Sequence, residues 1–235
     1  NKPLMGVILA AGMAKRLRPL TDEQPKCLLK VGERTLLERT VDAMLQAGVN
    51  EFVIVTGYLA DMISQFLTTH YPTLKFHFLH NADYEHNNIV RGHDFLLMDS
   101  DILCDPAAVL RIAAEQESAL AVNRHELGEE EMKVVIDAEG HITEISKTCQ
   151  PADSLGESVG IEKITASFSD ALYRELDQMI INEKLINIFY ERAFERLIPQ
   201  GYTFKVVDTT GYFSYELDTP EDFQRAQDLM PRELL

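Results

Sequence analysis

Short apolar segments alternate with segments of helical periodicity through the first half of the chain, and this alternation restricts the fold more than any other feature of the sequence. Apolar runs bounded by glycine or polar residues predict buried strands, at residues 6–11, 51–56, 75–80 and 94–98. Apolar positions at helical spacing predict helices at residues 35–47 and 61–69. Such alternation is typical of an α/β fold with a doubly wound, mostly parallel (mixed) sheet.

The second half of the chain has a different pattern. Alternating residues on either side of Gly140, at 132–136 and 141–145, predict a β-hairpin. Strands and amphipathic helices follow, at residues 158–165, 170–183, 187–197, 203–208 and 219–229. Thr219 is suited to cap the last helix, with Pro220 at its first position. We therefore expect a small β-hairpin and helical subregion beside the main sheet.

The connection between the third and fourth of these strands is short. About 14 residues separate His80 from Phe95, and a parallel crossover that contains a helix needs at least about 10–12. Either the crossover is shortened, or residues are missing from the chain between Asn88 and Val90. We therefore predict a chain break or a mobile loop near Ile89 and Val90.

The charge balance limits the class of partner. The chain has 22 basic and 38 acidic residues, a net charge of −16, whereas proteins that bind nucleic acid carry a basic face. We therefore expect no nucleic-acid partner, although a local basic cluster can still bind a small anion. The length of 235 residues and the hydrophobic content of 46% indicate one domain with a substantial core.

Cysteine usage and the N-terminal segment bear on the compartment. Cys27, Cys104 and Cys149 form no C-x-x-C pair, which disfavours a zinc site or a disulfide framework and favours a reducing cytoplasm. The apolar run at residues 7–11 is too short for a signal sequence or a membrane span. We therefore expect a cytoplasmic protein without membrane insertion.

A basic loop follows the first predicted strand. The chain leaves this strand at Gly12, where the absent side chain lets a ligand approach the backbone, and successive loop N–H groups can then cradle phosphates. Lys15, Arg16 and Lys26 add the positive charge that phosphoryl or nucleotidyl transfer requires. The spacing matches neither the Walker loop nor G-x-G-x-x-G. The alternative interpretation is a solvated turn.

Carboxylates follow another predicted strand. Asp99 and Asp101 come at its carboxyl end, where ligands of open α/β sheets bind, and carboxylates facing a phosphate loop suit Mg²⁺. Asp218, near the C-terminus, is a candidate second ligand for the same metal. The alternative is that these residues only cap helices or turns.

Together these motifs closely resemble the sugar-phosphate nucleotidyltransferases. The resemblance rests on the loop at residues 9–20, the pair Pro25 and Lys26, the Asp-x-Asp motif and the segment at 216–222. The Asn- and His-rich segment at 81–89 is most similar to the phosphocholine cytidylyltransferase type. The family often has a second glycine in the loop, where this chain has Ala14.

The resemblance implies a Rossmann-like nucleotidyltransferase fold and a role for each motif. Residues 1–122 would form a nucleotide-binding half and residues 123–235 an acceptor-binding half of a single domain. Arg16 and Lys26 would hold the triphosphate, and Lys147 the acceptor phosphate, as the catalytic cations. Mg²⁺ would be held by Asp101 and Asp218. The nucleotide would contact Leu9, Ala10, Ala11, Gly12, Met13, Ala14, Lys15 and, near the base, Asn88.

The acceptor is expected to be a small phosphorylated molecule. A choline head group favours an aromatic cage, and the chain has no Trp, so Tyr190 and Tyr215 are the leading candidates. Other rings that could contribute are Tyr84, Phe189, Tyr212 and Phe213. The acidic surplus could also supply an anionic partner, so phosphocholine is favoured, and the resemblance implies CTP as the nucleotide donor. Aminoethylphosphonate, phosphoethanolamine and sugar 1-phosphates are the alternatives.

Two other classes of function are compatible with parts of the pattern. A nucleotide-sensing domain without catalysis is disfavoured because both candidate metal carboxylates and the phosphate-side cations are present. A structural or interaction domain is disfavoured by so basic a loop in so acidic a chain. The base, the acceptor and the oligomeric state are left open.

Overall fold

The computed structural model describes residues 3–80, 89–124, 132–179 and 190–235. Within these ranges the strands, in chain order, are β1 (Met5–Ala10), β2 (Lys30–Val31), β3 (Arg34–Thr35), β4 (Glu51–Thr56), β5 (Lys75–His80), β6 (Phe95–Asp99), β7 (Ile102–Cys104), β8 (Ala119–Asn123), β9 (Lys133–Ile136), β10 (Ile142–Ser146), β11 (Gly156–Ile164), β12 (Lys205–Asp208) and β13 (Ser214–Glu216). The α-helices are α1 (Leu36–Gln46), α2 (Ala60–His70), α3 (Pro106–Ala113), α4 (Ala166–Asp177), α5 (Tyr190–Leu197) and α6 (Pro220–Leu229).

A mixed sheet forms the centre of the molecule. Its parallel part has the order β5, β4, β1, β6, and the long strand β11 then runs antiparallel to β6. Beyond β11, the sheet continues through β8 and its parallel neighbour β12, and through the hairpin of β9 and β10. The predicted α/β fold with a doubly wound, mixed sheet and the predicted hairpin are both confirmed.

Helices cover both faces of the sheet because the central strands are apolar on both sides. Val7 and Val53 face a core that contains buried residues of α4 and α5. Ile8 and Ile54, one position along, face a second core built with α1, α2 and α3. This alternation along β1 and β4 is the physical basis of the doubly wound arrangement. None of the described helices has the length and apolar character required to cross a bilayer.

Several short elements were not predicted from the sequence. Strands β7, β8 and β13 and helix α3 are too short for a clear periodicity, although Asp105 caps α3 and Pro106 occupies its first turn. Helix α4 begins at Ala166 rather than at residue 170, directly after β11. The buried ring of Phe168 explains the earlier start, because it adds a core contact before residue 170.

The predicted mobile loop is wrong for the two residues at which it was placed. Ile89 and Val90 lie in a turn, and Val90 is fully buried in the core. The Val90 carbonyl accepts a hydrogen bond of 3.0 Å from the hydroxyl of Ser169 in α4. Asn88, on the other side of the suspected gap, lies outside the described residues.

Candidate active site

The loop after β1 opens at the carboxyl edge of the sheet. Among the described residues, no heavy atom beyond the chain neighbours lies within 4 Å of the position that a Cβ at Gly12 would occupy, so the backbone there faces open space within this part of the chain. The loop then turns back on itself, anchored by the buried side chain of Leu17. Across the loop, the Thr21 hydroxyl donates to the carbonyl of Ala14 at 3.0 Å. This geometry leaves room for a phosphate group at the start of the loop.

The first two residues predicted to contact the nucleotide lie in the strand, as the sequence also predicted. Leu9 and Ala10 are the last residues of β1, Ala10 is buried, and the Leu9 carbonyl accepts from the amide of Ser100 at 3.0 Å. Exposed backbone begins at Gly12 and Met13. The exposed part of the predicted nucleotide site therefore starts three residues after Leu9, at Gly12.

Ala14 has a backbone conformation that favours glycine. Its φ of 49° and ψ of 54° lie in the left-handed region, at the position where the family often has its second glycine. A Cβ in this region costs roughly 1–2 kcal/mol. The loop thus keeps the turn that the family glycine allows, and the hydrogen bond from Thr21 to the Ala14 carbonyl helps to hold it.

A small two-stranded sheet brings the two candidate metal ligands to one place. Strand β7 begins one residue after Asp101, and β13 ends two residues before Asp218. The strands pair antiparallel, with Glu216 opposite Ile102 and Tyr215 opposite Leu103. Carboxylates that are 117 positions apart in the sequence therefore lie at the same end of this sheet.

Each candidate metal ligand is paired with a candidate phosphate-binding cation. Lys26 Nζ donates to Asp101 Oδ2 at 3.0 Å, and Arg16 NH2 donates to Asp218 Oδ1 at 3.2 Å. The Lys26 side chain is only 13% exposed, whereas that of Arg16 is 77% exposed. Lys26 is therefore largely enclosed at the site, whereas most of the Arg16 side chain is open to solvent.

Glu216 is a third carboxylate in this cluster. Partial burial, followed by the charge of Asp218 and a hydrogen bond shared with it, raises the pKa of Glu216 to about 7. Glu157 of β11 acts in the same direction, and the nearby Lys26 opposes it. Three carboxyl groups therefore meet two cations, Lys26 and Arg16, and a bound cation would favour the charged form of all three.

Lys147 follows the end of β10, where its side chain is exposed. Its main-chain carbonyl accepts a hydrogen bond of 2.6 Å from Nζ of Lys133, a lysine that is itself buried. Lys133 of β9 lies opposite Glu157 of β11 in the sheet register. The charge of Glu157 contributes to the raised pKa of Glu216. Lys147 is therefore connected to the carboxylate cluster through the sheet.

The aromatic residues predicted to contact the acceptor are directed elsewhere. Tyr190 is 2% exposed, and its hydroxyl lies 3.4 Å from that of Tyr173 inside the core, so the structure argues against an acceptor contact. The ring of Tyr215 packs against the small core beneath α6, and its hydroxyl approaches Asp222 at 3.5 Å. Tyr84, Phe189 and the base-side Asn88 lie outside the described residues.

Sequence reasoning missed several residues at this edge of the sheet. Asn123, at the end of β8, donates to the Ser214 hydroxyl at the start of β13 and accepts from Thr209. Gly160 of β11 has a φ of +82°, and a Cβ there would come within 2.5 Å of the Asp99 carboxylate. In the sequence, Gly160 is only a glycine within a predicted strand. Its position opposite Asp99 follows from the pairing of β11 with β6, which is visible only in the fold.

Comparison with known proteins agrees with this arrangement. A family model described as the MobA-like NTP transferase domain matches residues 6–129. The CTP:phosphoglutamine cytidylyltransferase of Campylobacter jejuni is 26% identical over 249 residues, which cover 93% of this chain and 97% of that protein. The CMP-5'-(3-aminopropyl)phosphonate synthase of Streptomyces rubellomurinus is 28% identical over 245 residues, covering 95% of this chain but 38% of that protein.

A solved structure shows the same fold along the whole chain. The CTP:phosphocholine cytidylyltransferase of Streptococcus pneumoniae superposes with a TM-score of 0.80 at 19% identity, covering 98% of this chain and 100% of that one. The family expected from the loop and the carboxylate motifs is thus confirmed. The chain belongs to the MobA-like NTP transferase family and is a nucleotidyltransferase.

Proposed function

We propose that this nucleotidyltransferase is a Mg²⁺-dependent cytidylyltransferase that joins CMP, from CTP, to a small phosphorylated acceptor and releases pyrophosphate. The observation that carries the proposal is the carboxylate cluster of Asp101, Glu216 and Asp218, paired with Lys26 and Arg16 beside the open loop at Gly12. The relatives named for CTP or CMP chemistry support the choice of base.

The donor set suits Mg²⁺. Asp101 and Asp218 offer carboxylate oxygens, which Mg²⁺ binds in ones or twos together with phosphate oxygens and water. Glu216, whose pKa is raised first by partial burial and then by the charge of Asp218, adds a third carboxyl group in the same place. Asp101 and Asp218 would hold the ion, which would offset charge on the phosphates when bound.

The residues of the chain would act mainly by positioning and charge neutralisation. An oxygen of the acceptor phosphate or phosphonate attacks the α-phosphorus, the bond to the bridging oxygen of pyrophosphate breaks, and negative charge moves onto the departing group. Lys26, at 13% exposure, is placed to meet that charge in a partly desolvated site. Arg16 would reach the triphosphate from the loop, and Lys147 would hold the acceptor phosphate.

Phosphocholine remains our first choice of acceptor, on the acidic groups that the sequence also suggested rather than on an aromatic cage. A cage built on Tyr190 is disfavoured by its burial, but Glu157 and Glu216 are two neighbouring carboxyl groups, and a cationic head group would favour the charged form of both. The same charge suits aminoethylphosphonate and phosphoethanolamine. A sugar 1-phosphate, which has no cation, is favoured least.

Substrate specificity can be tested directly with a matrix of four nucleoside triphosphates against phosphocholine, phosphoethanolamine, aminoethylphosphonate and glucose 1-phosphate, with pyrophosphate release as the signal. We expect CTP with a cationic acceptor to give the highest kcat/KM. Turnover confined to glucose 1-phosphate, or to a triphosphate other than CTP, would contradict the proposal. Tight triphosphate binding without pyrophosphate release for any pair would favour the nucleotide-sensing alternative.

A further inference from the structure

One tyrosine contacts both ends of the basic loop. Tyr58 follows β4, the strand that lies next to β1. Its hydroxyl donates to the carbonyl of Thr21 at 2.6 Å and approaches the carbonyl of Asp22 at 3.2 Å. Its backbone amide is directed at the carbonyl of Ala11 at 3.4 Å. The start and the end of the loop, residues 11 and 21–22, are thus tied to the same residue.

The backbone around Tyr58 is shaped for this close approach. A Cβ at Gly57 would lie 2.8 Å from the carbonyl oxygen of Ala11, closer than real side chains come, so the two segments meet only because residue 57 is glycine. Leu59, on the other side, has a φ of 53°, in the left-handed region. The chain therefore turns sharply at Tyr58, and the side chain reaches the far end of the loop.

We propose that Tyr58 is a positioning residue for the nucleotide, because its hydroxyl closes the loop into the shape that receives the triphosphate. This inference rests on the proposed function. Thr21, whose carbonyl Tyr58 binds, also donates through its own hydroxyl to the Ala14 carbonyl, so the contact extends to the middle of the loop. A loop that is held in its bound shape loses less conformational entropy when the ligand binds.

Tyr58 is expected to affect binding of the nucleotide but not binding of the acceptor. Within the ranges that the structure describes, the Tyr58 hydroxyl is hydrogen-bonded to the loop on the nucleotide side, whereas Lys147 follows β10 and Glu157 lies in β11, both in the second half. Loss of the hydroxyl should therefore weaken triphosphate binding and leave acceptor binding unchanged. A purely structural role would lower stability without this selectivity.

The test compares two variants that each lose one tyrosine hydroxyl. Tyr58→Phe keeps the ring and removes the contact to the loop. Tyr71→Phe is the matched control, since its hydroxyl donates to Asp42 of α1 at 2.8 Å and does not touch the loop. One neutral hydrogen bond corresponds to roughly a 3- to 10-fold change. We expect the KM for CTP to rise by about that factor in Tyr58→Phe alone, with the acceptor KM within twofold of the parent.

Hydrogen exchange gives a readout that does not depend on turnover. In the unliganded protein, we expect backbone amides of residues 13–22 to exchange about 3- to 10-fold faster in Tyr58→Phe than in the parent or in Tyr71→Phe. Unchanged exchange in the loop would overturn the inference even if the enzyme is active. An unchanged CTP KM, or an equal rise in both KM values, would also overturn it. Failure of the proposed function would be seen instead as absent CTP turnover by the parent protein.

Discussion

At the scale of single residues, Lys26 and Lys147 are expected to serve different substrates. Lys26 lies beside the nucleotide loop, and Lys147 follows a strand of the second half. A lysine contact to phosphate contributes roughly 1.5–3 kcal/mol, which corresponds to about 10- to 100-fold in the relevant constant. Lys26→Ala should weaken CTP binding and slow the chemistry, whereas Lys147→Ala should raise the acceptor KM far more than the CTP KM.

Substrate titrations of each variant measure this difference. Lys75→Ala serves as the control, because Lys75 lies at the start of β5 in a surface ion pair with Glu51. It should leave both KM values unchanged, since exposed ion pairs contribute little. If Lys147→Ala altered both substrates equally, or neither, Lys147 would be an exposed surface lysine with no part in acceptor binding.

At the scale of elements, the caps of α1 and α6 provide a matched pair. Thr35 and Thr219 each begin a helix with a capping box, and replacement of such a threonine by alanine costs about 1 kcal/mol. Both Thr35→Ala and Thr219→Ala should lower the free energy of unfolding by about that amount. Only Thr219→Ala should also reduce turnover. The backbone amide of Asp218 donates a hydrogen bond to the carboxylate of Asp222, which is the other member of this capping box.

Urea unfolding and steady-state rates, measured on the same preparations, test this pair. Equal losses of activity in the two variants would mean that the cap of α6 affects the site only through overall stability. A loss confined to Thr219→Ala would support the idea that the capping box holds the backbone of a metal ligand.

The elements show what a single sequence can and cannot predict. The strands β1, β4 and β5 and helix α1 were predicted within one or two residues, because apolar periodicity over six or more residues is a local property. Strands β7 and β13 have three residues each and pair across more than a hundred positions, so no local pattern reveals them. The paired placement of Asp101 and Asp218 depends on that pairing.

For the same reason, some residues of the candidate site could be predicted from the sequence and others could not. The basic loop and its cations could be identified because the motif is contiguous in sequence. Glu216 was not assigned a role, since its pKa is raised first by partial burial, which depends on the fold, and then by the charge of Asp218. Tyr190 was assigned to the acceptor because an aromatic ring suits either a cage or a core, and only its burial decides between them.

At the scale of the whole molecule, the candidate functional groups lie together at one edge of the sheet. The loop after β1, the carboxylates after β6 and β13, and Asn123 after β8 all lie at strand ends, where ligands of open α/β sheets bind. In a chain of net charge −16, Lys26 and Arg16 are held by the carboxylates that would bind the metal. When Mg²⁺ and the triphosphate bind together, the two carboxylates would bind the metal and the two cations would bind phosphate.

The central claim is that Mg²⁺ and the triphosphate replace the ion pairs of Asp101 with Lys26 and of Asp218 with Arg16. Turnover measured as a function of Mg²⁺ concentration tests this claim most directly. Pyrophosphate release would be measured with the best substrate pair for the parent, Asp101→Asn, Asp218→Asn and the exposed control Asp153→Asn, after circular dichroism has verified each fold. We predict losses of about 100-fold or more for the first two variants and none for the control. Near-parental rates at limiting Mg²⁺ in both site variants would contradict the account.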